Sequence, residues 1–123
     1  MKECMAVTDT NRSPRRGSLT TALPAGGTEE RFDRLLERPG VRIERIVSTG
    51  QASPPGFWYD QAEDEFVVLV AGQARLRFEA GDVVLDLAPG DWVEIPAHAR
   101  HRVEATQAEP ATVWLAVHLG PTA

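Results

Sequence analysis

The residues of this 123-residue chain best suited to chemistry are three histidines, His98, His101 and His118, and the acidic turn Glu63-Asp64-Glu65. A neutral imidazole inside a protein is a good transition-metal ligand and a ready proton carrier. Glu65 opens an otherwise apolar run, EFVVLVA, and a carboxylate buried there is costly unless it meets a cation or several donors. A metal ion shared with His101 would supply that partner, and so would Arg75, Arg100 or Arg102 at a rim. The alternative is that Glu65 is a solvated member of its turn. Just upstream, GFWYDQ holds Trp58, Tyr59, Asp60 and Gln61. Strand alternation puts Asp60 and Gln61 on opposite faces, so only one of them points inward. Gln61 inward, with Tyr59, gives a neutral, weakly coordinating site. Asp60 inward, with Trp58, gives a second carboxylate beside Glu65, which a divalent cation would bridge.

His101 is in phase with Val103 and Ala105, which argues for an inward ring. His98 falls in a turn, where solvent exposure is expected. His118 shares a face with Trp114 and Ala116, and either joins the site or lies on a surface or dimer interface. Trp58, Trp92 and Trp114 read as packing aromatics, with Trp58 and Trp92 also candidates for a pocket wall. Nucleophilic catalysis has little support, because Cys4 is the only cysteine and no serine sits in a strand-turn-helix elbow. Gly26-Gly27 lacks the lysine and the preceding strand of a phosphate loop.

The elements that must position these groups are short and β-like. Nine prolines and ten glycines punctuate the apolar runs, as turns do in an all-β domain. Residues 1–27 read as a mostly disordered leader, and 28–40 as a short helix and connection, with Thr28 as cap and Phe32, Leu35 and Leu36 at helical spacing. From 41 to 120 the pattern is strands. VRIERIV slips in apolar parity between Ile43 and Ile46, which suggests a bulge near Glu44. FWYDQ reads as a strand, and EFVVLVA is apolar on both faces, so both are expected to be covered. QARLRFEA alternates cleanly, as does DVVLDL with Val83, Leu85 and Leu87 on one face. DWVEI, HRVEA and ATVWLAVHL complete about eight strands, which implies a sandwich or barrel.

Length allows one domain, and the 42% apolar content fits a globular core. The net charge is −5. Residues 1–16 are basic, and from residue 17 onward nine basic face sixteen acidic residues, a formal −7. An acidic domain repels phosphate backbones, so nucleic acid is disfavoured as a partner. A lone cysteine does not imply an oxidising compartment, and no apolar run is long enough to span a bilayer, so no membrane partner is expected and the cytoplasm is the default location.

Two segments carry a family resemblance. Gly90-Asp91, five residues to Pro96, and His101 five positions further on resemble the second motif of the cupins, with His98 where a glycine is usual. Glu65, six residues and Gly72 match the end of the first cupin motif, whose paired histidines fall here on Tyr59 and Gln61, or on Trp58 and Asp60 with a one-residue longer gap. Over 41–119 the chain is similar to small single-domain bacterial cupins without an assigned activity. The resemblance implies a jelly-roll β-barrel, a homodimer, and a divalent metal (Zn, Fe, Ni or Mn) inside the barrel. Its ligands would come from His101, Glu65, Gln61, Asp60 and His98, with Tyr59, Trp58, His118 and Trp92 around a small polar substrate. If catalytic, such a site would run oxygenase, isomerase or lyase chemistry. The missing first-motif histidines favour a second expectation, a metal-free barrel that binds a small molecule without transforming it. A third, a structural or assembly role, predicts a sealed barrel.

Overall fold

The computed structural model describes residues 13–120, so Cys4 and the first twelve residues of the leader lie outside the described residues. Eight strands form two antiparallel sheets: β1 (Arg31–Arg38), β2 (Val41–Ser48), β3 (Asp64–Ala71), β4 (Ala74–Phe78), β5 (Val83–Leu87), β6 (Trp92–Ile95), β7 (His101–Thr106) and β8 (Thr112–Leu119). The larger sheet has the order β1-β2-β8-β3-β6, and the smaller β5-β4-β7. Their facing surfaces enclose the jelly-roll interior.

No helix occupies 28–40: Arg31–Arg38 is an edge strand paired to β2. The register of that pair shifts between Arg34 and Leu36, and this explains the misleading spacing. A bulge at Leu35 lets Phe32 face the barrel interior while Leu35 lies beside the incoming segment Arg15–Leu19. Apolar residues three and four apart thus serve two faces of a bulged strand. The expected bulge near Glu44 is therefore on the partner strand, and β2 pairs with β8 without interruption from Val41 to Ser48. Residues 13–27 have no regular secondary structure. They are tied to the barrel by Arg15 donating to the Leu35 carbonyl, Arg45 to that of Leu19 and Gln51 to that of Gly27.

Alternation along β3, β4 and β8 builds the core. Val67 and Leu69, Ala74 and Leu76, and Trp114 and Ala116 meet Leu87 and Ile95 in one buried cluster. FWYDQ is not a regular strand. It is held to β7 by a single bridge in which the Tyr59 and His101 amides each donate to the other's carbonyl, at 2.7 and 3.2 Å. The outer face of β3 is only half covered, since Phe66 lies under a Trp92 ring that is itself 61% exposed. Val83, at the start of edge strand β5, is 45% exposed, contrary to its parity. A shift in the β4–β7 ladder beside Glu104 likewise breaks the phase of β7, so His101 is buried and Ala105 is exposed.

Candidate functional site

The site grows from one transverse row of the larger sheet. Arg42 on β2 lies opposite His118 on β8, and His118 lies opposite Glu65 on β3. Residues paired across antiparallel strands point to the same side, and here that side is the interior. Arg42, Glu44 and Ile46 alternate inward along β2, and His101 faces them from β7. Together with Tyr59 and Gln61 these groups line a partly open cavity of about 300 Å³.

His101 and Tyr59 form its far wall. The His101 ring is 5% exposed and stacks on Tyr59, with ring centroids 5.3 Å apart. Its Nδ1–H donates to the Ala99 carbonyl at 2.8 Å, which leaves Nε2 as the acceptor of the neutral ring. Burial, and then the charges of Glu30 and Glu65, push the Tyr59 phenol above its ordinary value. Glu65 is 8% exposed and accepts one bond from the Gln61 amide at 3.1 Å. Glu30 accepts a 2.5 Å bond from the Ser48 hydroxyl, which in turn accepts from the Trp114 indole at 3.1 Å.

The opposite wall is an ion-pair cluster. Arg42 donates to both Glu63 carboxylate oxygens at 3.2 Å, and its Nε lies 3.5 Å from Glu44. His118 is 6% exposed, with Nε2 3.3 Å from Glu44 and Nδ1 3.7 Å from Glu63. Among the described residues, buried His118 Nδ1 and Arg42 Nε have no hydrogen-bond partner.

Of the residues singled out from sequence, His101, Glu65, Gln61, Tyr59 and His118 line the cavity. Four others do not. Asp60 alternates outward from Gln61 and accepts a bond from His98 Nδ1 at 2.8 Å on the surface. His98 sits at φ +64°, the left-handed position for which a glycine would be usual, and this aims its ring away from the barrel. Trp58 lies under the Arg102 guanidinium, 5.9 Å from its ring centre, while Arg102 binds the carbonyls of Ser53, Pro54 and Phe57. Trp92 projects from the outer face of edge strand β6, because it is out of phase with inward Val93 and Ile95. Sequence reading missed Glu30, Phe32, Arg42 and Glu44. The period-two alternation Arg42, Glu44, Ile46 was a signal for the last two, obscured by reading a bulge into β2.

These donors do not fit a standard cupin metal centre. Among the described residues, no three His, Cys, Asp or Glu side chains converge as a cage. The places of the first-motif histidines hold neutral Tyr59 and Gln61, and Gln61 occupies one oxygen of Glu65.

A family model described as "Cupin domain" matches residues 45–118. Solved structures agree. A Ralstonia eutropha JMP134 protein with a provisional mannose-6-phosphate isomerase name is 50% identical; the match covers 88% of this chain and 100% of that one, with a TM-score of 0.84. A cupin superfamily protein from Desulfitobacterium hafniense DCB-2 is 20% identical over 90% and 96% of the two chains, with a TM-score of 0.71. The iron(II) form of HppE is 14% identical over 73% and 50%, with a TM-score of 0.62. The last two likenesses concern fold alone. A search of curated proteins finds no match.

Proposed function

Because the chain belongs to the cupin family, we propose that it is a small-molecule-binding barrel whose ligand occupies the cavity at Tyr59, Gln61, Glu65 and His101. The observation that carries this reading is the convergence of these groups on one open cavity from β3, β7 and the bridged segment between β2 and β3. Apolar walls with a few convergent polar groups are the usual composition of a ligand site. Nε2 of His101 can take a proton from a bound molecule or return one, and Glu65 can orient it by accepting hydrogen bonds. The reading treats the residues as a hydrogen-bonding and proton-exchanging set and not as a metal cage.

The provisional name of the Ralstonia relative suggests a sugar phosphate. The cavity wall of this chain is less suited to one: Glu30, Glu44 and Glu65 face it, and its one guanidinium, Arg42, is hydrogen-bonded to Glu63 and lies 3.5 Å from Glu44. A phosphate would meet like charge there.

Metal analysis of native protein purified without chelator, beside His101→Ala and Glu65→Ala, tests the metal-free reading. All three are expected to fold and to carry far less than one equivalent of any divalent metal. Near-stoichiometric metal in the parent, lost from both variants, would replace this reading with a metal centre at His101 and Glu65.

A further inference from the structure

One cavity carboxylate, Glu65, lacks what a buried carboxylate requires. Among the described residues, neither Glu30 nor Glu65 has a basic side chain within 4.0 Å. Their hydrogen bonds come from the neutral groups Ser48 and Gln61. Glu65 is more than nine-tenths buried, and desolvating a carboxylate without a counter-charge is costly. The basic group of the cavity does not relieve this, because Arg42 is engaged by Glu44 and Glu63. A second, independent vacancy lies on the same wall as Arg42: His118 lines the cavity, is 6% exposed, and leaves Nδ1 unpartnered. The remaining walls include the aromatic faces of Tyr59 and Trp114 and the apolar side chains of Val67, Leu76 and Ile95. Carboxylates beside aromatic faces form a setting that favours a cation carried on an apolar body.

We infer that the ligand of this cavity is a small organic cation, an amine whose ammonium group pairs with Glu65 while its hydrocarbon part packs on the aromatic and apolar walls. The inference rests on the ligand-binding reading above and adds the charge class. An ammonium supplies the counter-charge that buried Glu65 lacks, and a phosphate group cannot. Glu65, more than nine-tenths buried, is the specificity-determining group, and Gln61 orients it.

Titration calorimetry of the whole protein, in the presence of a chelator, tests this with three probes: cyclohexylammonium, mannose and mannose 6-phosphate. Cyclohexylammonium is expected to bind, and Glu65→Gln, which keeps the shape and removes the charge, is expected to weaken it about tenfold or more. Trp92→Ala, on the outer face, should leave binding unchanged. Binding of mannose or its phosphate with none of the amine would overturn the charge class and leave the ligand-binding reading standing. Equal affinity of parent and Glu65→Gln for the amine would also overturn it, as would amine binding that appears only when the chelator is omitted. If folded protein binds none of the probes, both readings fall.

Discussion

Replacing Gly72 with alanine is expected to destabilise the barrel by about 3 kcal/mol or more, the sum of a strained backbone and an overpacked contact. Gly72 turns the chain from β3 into β4 at φ +84°, a region that costs a residue with a Cβ. A Cβ there would stand 2.6 Å from both Cα and Oγ1 of Thr112 and 3.0 Å from the Ala111 carbonyl. Thr112 cannot retreat: it is fully buried, and its hydroxyl is within bonding distance of the Gln107 and Gln73 carbonyls, at 2.8 and 3.2 Å. Against a typical domain stability of about 5–15 kcal/mol this is a large fraction, and the melting temperature should fall by about 10 °C or more. Equilibrium denaturation measures it. A loss under about 1 kcal/mol would mean that the β3–β4 turn relaxes easily. The same turn fixes where β3 begins its return, and hence the row that holds Glu65 opposite His118.

Trp114→Ala is expected to cost about 3–5 kcal/mol, the usual range for deleting a buried aromatic side chain. The indole is 4% exposed, lies between Ile46 and Leu69 on neighbouring strands, and forms part of the cavity wall. Its N–H also orders the chain Trp114–Ser48–Glu30, which ties the segment before β1 to the barrel. Trp114→Phe keeps one aromatic ring and removes the donor together with part of the packed area, so its cost should be smaller, about 1–2 kcal/mol. Chemical unfolding of the two variants separates packing from polarity. Equal losses would show that the hydrogen-bonded chain, and not the ring, is what matters at this position.

The barrel was legible wherever one strand face is apolar and the other is not. Ala74 and Leu76 are buried while Arg75 is exposed, as their alternation predicts, and the glycine and proline turns at Gly72 and Gly90 bound strands as expected. The reading failed where a strand lies at an edge. There, one apolar residue can serve the interior and the next a neighbouring segment, so β1 imitated helical spacing and Val83 reached solvent. The site was half legible. Position in the second motif and strand phase led to His101, and the charge at the head of an apolar strand led to Glu65. Glu30 lies in the stretch read as a helix, and Arg42 and Glu44 lie where a bulge was read into VRIERIV, so their shared face went unnoticed. Only the register of β2 with β8 reveals that this alternation faces the cavity. His98 had the right residue type but a left-handed backbone, which carries it to the surface.

The cavity emerges as a desolvated space with more carboxylate than cation, and its single phenol reports that balance. Tyr59 is the only tyrosine of the chain, so near-ultraviolet absorbance follows one group as pH rises. Its protonated form is favoured by burial and by Glu30 and Glu65, so its folded-state pKa stands above the unfolded value of about 10. The linked stability is present below that unfolded value and is lost as pH rises through the folded one. The account predicts a native midpoint above the ordinary phenol value, moved downward by Glu65→Gln and by bound cyclohexylammonium. A midpoint at or below the ordinary value in the native, chelator-treated protein would contradict it, since that would require a cavity that is hydrated or dominated by positive charge.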